Sequence, residues 1–183
     1  AITLGILYAL YKYNAWQKRL IRRRNILKDK YKKEIWKADY PWREDGIKSD
    51  SGKSYIKFNT FPFYLGDTLN VSLEESPFTS EKIHINLRFI IESEEEEDTG
   101  KETGGFFQYQ IYSDEKEITV PGKNNVFGID VKFDLPADVS YQTYLSRENV
   151  RYWELVMTGF VGAKKVSECF LVPVYIKKEG IEK

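Results

Sequence analysis

The amino-acid sequence predicts a mainly β, antiparallel sandwich of about eight short strands, preceded by one long N-terminal helix. Three observations predict this architecture. From Ser54 onward apolar and polar residues alternate with a period of two, which is the spacing of half-buried strands. Turn-forming Gly, Pro and Asn residues separate the alternating stretches. Residues 6–40 contain neither Gly nor Pro, which favours an uninterrupted helix there.

The first element, residues 1–16, is predicted to be the end of a transmembrane helix. Its first eleven residues carry no charge, and at 1.5 Å per residue they span about 16 Å, roughly half of a hydrocarbon core. The chain also begins with Ala, which we expect if the sequence starts inside such a helix. A buried core helix, a re-entrant segment and the end of a cleaved leader are the alternatives.

The second element, residues 17–40, is predicted to be a basic amphipathic helix at the membrane surface. Lys and Arg next to a membrane helix mark its cytoplasmic side, and each adds about 1 kcal/mol of attraction to anionic lipid. Tyr and Trp residues are enriched at the headgroup level, where a membrane helix leaves the bilayer. The predicted membrane interface therefore comprises Tyr8, Tyr11, Tyr13, Trp16, Lys18, Arg19, Arg22, Arg23 and Arg24.

The formal charge changes sign along the chain, near the end of the predicted basic helix. Residues 1–47 hold twelve Lys and Arg against five Asp and Glu, a formal charge of +7, so the rest carries −7 because the total is zero. This partition predicts two segments with different surroundings. A soluble amphipathic helix packed on the body and a basic arm that binds nucleic acid are the competing interpretations, and the uncharged neighbouring segment argues against the second.

The remaining elements are a linker at residues 41–53, the sandwich at 54–176 and a charged tail at 177–183. Turn residues that bound the strands include Gly66-Asp67, Pro121-Gly122 and Gly162. The predicted strands are Ser54–Thr60, Leu69–Leu73, Ile83–Phe89, Phe106–Tyr112, Glu117–Val120, Val126–Leu135, Arg151–Gly159 and Lys165–Ile176. Short strands without helical patterns between them indicate an antiparallel sandwich or barrel.

Several stretches resemble known proteins over roughly residues 40–175. Phe63–Val71, Phe133–Asp138 and Arg151–Leu155 resemble strands of the arrestin-like sandwich, an immunoglobulin-like architecture. A second resemblance is to the C-terminal domain of bacterial multi-pass membrane proteins of unknown function, and it rests on Tyr40–Arg43, Phe61–Phe63, Phe133–Pro136, Tyr152–Leu155 and Leu171–Tyr175. That resemblance implies a cytosolic sandwich following a transmembrane helix. Only half of a two-lobed arrestin fits this length, and the phosphate-sensing lysines and buried charged cluster of visual-type arrestins are not matched, so receptor recognition is not implied.

Residue types that support catalysis are scarce. The single Cys excludes a disulfide scaffold, and the single His excludes a mechanism that needs two imidazoles. His84 alternates with Ile83 and Ile85, which predicts an exposed histidine, whereas Cys169 is predicted to be a buried structural thiol. No glycine-rich phosphate loop, CxxC pair or HExxH motif occurs in the sequence. We therefore predict no enzyme activity, no cofactor and no small-molecule substrate.

One acidic run is a candidate partner-binding loop. It contains Glu92, Glu94, Glu95, Glu96, Glu97 and Asp98. The run lacks the ligand spacing of a calcium loop, so a solvated, mobile hairpin loop is the simpler interpretation. Such charge would be repelled by an anionic membrane and would face away from it.

Two functions follow as hypotheses, beside a third, an enzyme that uses Asp/Glu pairs on the sandwich surface, whose carboxylate separation the sequence does not show. The first is a membrane-anchored, non-catalytic interaction or scaffold module, or an accessory subunit of a larger membrane complex, with the sandwich on the cytoplasmic side. Its partners would be anionic lipid and other membrane-complex proteins, without nucleic acid. The alternative is an extracytoplasmic carbohydrate-binding or surface sandwich, in which aromatic residues such as Tyr152 and Trp153 would form a platform. Protease accessibility of Glu92–Asp98 in intact cells distinguishes the two.

Overall fold

The computed structural model describes residues 5–6, 11–14, 18, 45–95, 105–120, 128–145 and 149–177. These residues form eleven strands and one short 3-10 turn, Val139–Tyr141. The strands are β1 Gly46–Lys48, β2 Tyr55–Phe58, β3 Phe63–Tyr64, β4 Thr68–Glu75, β5 Lys82–Glu95, β6 Gly105–Thr119, β7 Ile129–Asp134, β8 Tyr144–Leu145, β9 Asn149–Val161, β10 Lys164–Val172 and β11 Val174–Tyr175. The predicted number of about eight strands is therefore too low.

Two antiparallel sheets build the domain. One has the strand order β1-β2-β4-β7, and the other has the order β10-β9-β5-β6 with β8 paired to β9. Apolar residues from both sheets belong to a single buried cluster, so the sheets pack face to face as a sandwich. The mainly β, antiparallel sandwich predicted from the alternating pattern is confirmed. One small pair departs from it, because β3 and β11 run parallel.

The strand count differs for two reasons. Four of the strands, β1, β3, β8 and β11, have only two or three residues, too few for an alternating pattern to be visible. In the opposite direction, Phe106–Tyr112 and Glu117–Val120 were predicted as separate strands, but both stretches lie almost entirely in β6. The residues between them, 113–116, pair with β5 in regular register. A bulge lies within the first stretch, since Tyr112 pairs with Phe89 and Gln110 pairs with Ile90, leaving Ile111 as the extra residue.

Strand β1 lies inside the predicted linker 41–53. It pairs with β2 in antiparallel register, and Ile47 is buried in the core. Gly46 allows this pairing, because a Cβ at that position would collide with the carbonyl oxygen of Ile56 on β2. The sheet therefore begins before residue 54, where the alternating pattern becomes visible.

An aromatic cluster occupies the middle of the core. Trp153 on β9 is fully buried, and its ring centroid lies 5.2 Å from Phe89 and 5.3 Å from Tyr112. Its indole Nε1 donates a hydrogen bond to the carbonyl oxygen of Tyr141 at 2.9 Å, which ties the 3-10 turn to the sheet. Burial raises the pKa of Tyr112, with the Asp114 carboxylate adding to the effect. Trp153 is therefore a core residue and not part of an exposed platform.

The N-terminal prediction is only partly covered by the structure. Residues 5–6, 11–14 and 18 are helical, and no long helix is among the elements that the described residues form. Most of the predicted segments 1–16 and 17–40 lies outside the described residues. Within the described part of the chain, no helix is long and apolar enough to cross a bilayer. Of the tail 177–183 only Lys177 is described, and its ammonium lies 2.5 Å from Asp67 Oδ1.

A polar network crosses the outer side of the four-stranded sheet. Asp130 on β7 accepts hydrogen bonds from Asn59 Nδ2, at 3.1 Å, and from the hydroxyl of Ser72 on β4. The hydrogen bonds from Ser72 and, second, from Asn59 lower the pKa of Asp130 below its usual 3.8. The group therefore favours the folded state above about pH 3.8, and this contribution is lost as the pH falls through the lower folded-state value.

This network yields a test by NMR titration of the Asp130 carboxyl group. We expect a pKa below 3.8 in the parent protein and a shift back toward 3.8 in Ser72→Ala, because the largest stabilising hydrogen bond is then absent. Ser76→Ala is a matched control, since Ser76 bonds the backbone of Phe78 instead. An Asp130 pKa that Ser72→Ala leaves unchanged would show that the hydroxyl does not set it.

Candidate functional site: the outer face and free edge of the five-stranded sheet

The outer face of the five-stranded sheet is concave and polar. Even-numbered residues of β5 and β9 point to this side, while Ile83, Ile85, Leu87 and their counterparts on β9 fill the core. The result is a cleft with a volume of about 680 Å³. Its polar lining includes His84, Asn86, Arg88, Gln108, Thr158 and Ser167.

An ion pair lies beneath the centre of this cleft. Arg88 on β5 and Glu154 on β9 are direct cross-strand neighbours, and the Arg88 guanidinium donates to Glu154 Oε1. The second oxygen, Oε2, accepts a hydrogen bond from the Cys169 thiol of β10 at 3.1 Å. The Glu154 side chain is completely buried, whereas 28% of the Arg88 side chain is exposed. The buried carboxylate thus has a cation on one oxygen and a thiol on the other.

A second buried carboxylate belongs to the acidic run. Glu92 lies within β5 and is 2% exposed. Its Oε1 accepts hydrogen bonds from the Tyr152 hydroxyl at 2.5 Å and from Gln108 Nε2 at 2.8 Å. Ile90 and Val150 lie on the same face and form a small buried apolar cluster with Tyr152. Glu92 is therefore part of a strand and of a buried network, which corrects its assignment to an exposed loop.

The strand continues beyond Glu92. Glu94 and Glu95 also belong to β5, which ends at Glu95. Glu96, Glu97 and Asp98 lie outside the described residues, so the partner-binding role of that part of the run stays a prediction. The predicted loop begins about four residues too early, at Glu92, because a run of Glu residues has low strand propensity and only the pairing with β6 extends the strand through them.

Exposed charges surround the other end of the cleft. Glu117 on β6 contacts Lys82 at 2.6 Å and His84 at 3.3 Å. The hydrogen bond between Lys82 and Glu117 raises the pKa of Lys82 and lowers that of Glu117. Glu115, two residues earlier, accepts a hydrogen bond from Asn86 Nδ2 at 2.9 Å. His84 is exposed, as the alternating pattern predicted.

The two candidate nucleophilic or basic groups have different partners. Cys169 is 5% exposed, which confirms the buried thiol, and it donates to a carboxylate. His84 contacts Glu117 on the exposed side of the cleft. Tyr152 and Trp153 are 1% and 0% exposed, so neither can stack on a sugar ring. What the described part of the cleft offers to a partner is a polar surface with charged side chains.

Sheet edges are the second feature that can bind a partner, and in the described part of the chain three of the four edge strands, β1, β7 and β10, are shorter than β6 and two of them are partly covered. Strand β1 has three residues. The edge of β10 is covered where the Asp50 amide donates to the Cys169 carbonyl at 2.8 Å and where Glu168 accepts from Ser49 at 2.5 Å. On β7, the Lys132 carbonyl accepts a hydrogen bond from Lys116 at 2.5 Å.

Strand β6 is different. It spans fifteen residues and pairs only with β5 among the described strands. Long edge strands with unpaired backbone groups can accept another strand, and native proteins usually protect them with charges and bulges. Both protections are present here, as charges between residues 114 and 117 and as the bulge at Ile111. The cleft and the β6 edge adjoin each other, since Glu115 and Glu117 line the cleft from β6.

The predicted membrane interface is described at three residues. Tyr11 is 70% exposed and Tyr13 is 51% exposed, and Lys18 is also exposed. Tyr8, Trp16, Arg19, Arg22, Arg23 and Arg24 lie outside the described residues. The membrane interface therefore stays a prediction from the sequence.

The fold and the site define the class of this protein, an antiparallel β-sandwich with a polar outer cleft. Comparisons with known proteins add little to that description. No protein-family model matches the chain, and no curated protein matches it. Among solved structures, one that is similar is Spo0M, a sporulation control protein from Bacillus subtilis, with 13% sequence identity and a TM-score of 0.41. The match covers 68% of this chain and about half, 49%, of that protein. A likeness of this degree establishes neither a shared family nor a shared function, and the arrestin-like resemblance stays a prediction.

Proposed function

We propose that the chain is a membrane-anchored, non-catalytic interaction module that presents an arrestin-like sandwich to other proteins on the cytoplasmic side, as a scaffold or an accessory subunit of a membrane complex. One observation carries the proposal: an uncharged apolar segment is followed directly by aromatic residues and a basic cluster, whereas the rest of the chain is acidic. Lys and Arg beside such a segment indicate the cytoplasmic side. The acidic sandwich would be repelled by anionic lipid and held away from it.

Two properties of the sandwich support the interaction role. Its outer cleft is polar and lined by charged side chains, some of them in ion pairs, which suits contact with a polar protein surface. It also carries a long edge strand, β6, beside that cleft. The carbohydrate-binding alternative relied on exposed aromatic residues, and the two that it named, Tyr152 and Trp153, are buried.

Vesicle flotation with the full chain tests the membrane part. We expect the protein to float with phosphatidylcholine vesicles and to bind more tightly when phosphatidylserine is included. Replacing Arg22, Arg23 and Arg24 with Gln should weaken the phosphatidylserine-dependent part at least about tenfold, since each basic residue contributes roughly 1 kcal/mol. A matched control replaces three exposed lysines of the sandwich, Lys57, Lys132 and Lys165, with Gln and should bind as the parent does.

The result that contradicts the proposal is equally specific. A chain that stays monodisperse without detergent and does not float with either kind of vesicle is not a membrane-anchored module. Equal losses in the arginine variant and in the lysine control would show that total charge, and not the N-terminal cluster, governs the association.

A further inference from the structure

We propose that residues Tyr112–Thr119 of β6 bind an extended, basic segment of a partner protein, which adds a strand to the five-stranded sheet. The inference deepens the proposed function, because it rests on the chain being an interaction module and names where and what it binds. In strand addition, main-chain hydrogen bonds supply affinity, and side chains at alternate positions supply specificity. The backbone geometry of β6 therefore determines the affinity for a partner strand, and the charges of β6 determine which partner it prefers.

The backbone of this stretch is regular. Its eight residues pair with β5 without a register shift, from Tyr112 opposite Phe89 to Thr119 opposite Lys82. At about 3.3 Å per residue the stretch is roughly 26 Å long, which exceeds the usual strand of five or six residues. The bulge at Ile111 bends the strand at one end. A partner strand can therefore follow residues 112–119 without a break.

The charges on this stretch are mainly negative. Asp114, Glu115 and Glu117 are acidic, and Lys116 is the one basic residue between them. The Lys116 ammonium is directed to the other sheet, where it bonds the Lys132 carbonyl and lies 4.8 Å from the centre of the Phe133 ring. It is therefore turned away from the carboxylates on the cleft side.

Glu115 and Glu117 set the partner's pattern. They are two residues apart, so both lie on the same side of the sheet, and both line the cleft. A neighbouring strand places alternate side chains opposite them, and opposite charges at such positions stabilise the pair. The complementary segment carries Lys or Arg at every second position.

The same charges disfavour a second copy of this chain. If two β6 strands paired antiparallel about Lys116, each Glu115 would lie opposite a Glu117 of the other copy. Like charges directly opposite each other destabilise a strand pair. The edge is thus suited to a basic partner and is protected against self-association.

Amide hydrogen exchange of the full chain in a neutral detergent tests the inference. The probes are two ten-residue peptides, one alternating Thr and Lys and the other alternating Thr and Glu. We expect the Thr-Lys peptide to slow exchange at residues 112–119 at least about tenfold, and the Thr-Glu peptide to leave it unchanged. Slowing elsewhere only, or equal slowing by both peptides, would overturn the proposal.

Variants identify the carboxylates that matter. Glu115→Gln combined with Glu117→Gln should weaken binding of the Thr-Lys peptide about fivefold, because two cross-strand charge pairs are lost. The control, Glu74→Gln with Glu75→Gln, removes two charges from β4 in the other sheet and should bind like the parent. Equal weakening in both variants would show that peptide binding depends on the total charge of the protein and not on Glu115 and Glu117, and it would overturn the proposal.

The outcomes separate this inference from the function on which it rests. If the chain floats with vesicles but the Thr-Lys peptide does not protect residues 112–119, the strand-addition site is wrong and the membrane module stands. If the peptide protects the edge but the chain ignores vesicles, the membrane part is wrong. Protection of residues 112–119 that rises with protein concentration in the absence of peptide would identify a second copy as the occupant and overturn the basic partner.

Discussion

Trp153→Ala is expected to lower the free energy of unfolding by about 3–5 kcal/mol, the range for removing a buried Trp or Phe side chain. Trp153 has no exposed surface and contacts Phe89, Tyr112 and Tyr141. The substitution removes these ring contacts and also leaves the Tyr141 carbonyl without the indole hydrogen bond. For a domain of this size the melting temperature should fall by about 10–15 °C, measured by calorimetry or circular dichroism.

Tyr144→Ala is the matched control for the tryptophan. Tyr144 is also aromatic, but it is 56% exposed and lies on the two-residue strand β8. We expect a change of about 0.5 kcal/mol or less, as is usual for exposed positions. Comparable losses for both variants would mean that the core is not centred on Trp153.

Arg88→Met is expected to cost about 3–5 kcal/mol, because it removes the guanidinium that donates to the completely buried Glu154 carboxylate. The hydrogen bond from Cys169 remains, but a thiol is a weak donor and carries no charge. Chemical denaturation of the parent and of the variant measures the difference. A loss below about 1 kcal/mol would show that the Glu154 carboxylate is solvated or neutral in the folded protein.

A double substitution separates what the Arg88–Glu154 ion pair contributes to the free energy of unfolding from the cost of leaving one buried charge behind. Arg88→Met combined with Glu154→Met replaces both charges with apolar groups, and buried pairs replaced in this way often change stability little. We expect the double variant to be more stable than Arg88→Met alone. Lys82→Met is the control, since its ion pair with Glu117 is exposed and should contribute about 1 kcal/mol or less.

The burial of Trp153 can be predicted from the sequence, whereas the burial of Glu154 cannot. Trp153 lies two residues before Leu155 and four before Met157, and all three face the core, so alternation places it there although the carbohydrate-binding hypothesis assigned it to an exposed platform. Glu154 lies between them and therefore points to the outer side, where the alternating pattern predicts exposure. Its complete burial depends on Arg88 and Cys169, which lie on other strands. No local signal in the sequence marks it.

The burial of two other carboxylates, Glu92 and Glu168, also cannot be predicted from the local sequence. Glu92 begins a run that reads as a charged loop, yet Tyr152, sixty residues away along the chain, donates to it within the sheet. Glu168 directly precedes the apolar end of β10, Cys169–Val172, and is 1% exposed, with Ser49 and Ser51 as donors. These partners come from separate elements, so the sequence identifies the carboxylates but not their surroundings. Buried carboxylates need such partners, because an isolated charge is costly to remove from water.

The sequence alone determined the fold class, the alternating faces of β5 and the division between a basic N-terminal segment and an acidic sandwich. A period of two fixes on which side of a sheet each side chain lies, and net charge can be counted without coordinates. The tertiary structure decided which sheet edges are covered, which carboxylates are buried and where β1 joins the sandwich. Burial depends on what lies over a side chain, and in an antiparallel sandwich those neighbours come from strands distant in sequence.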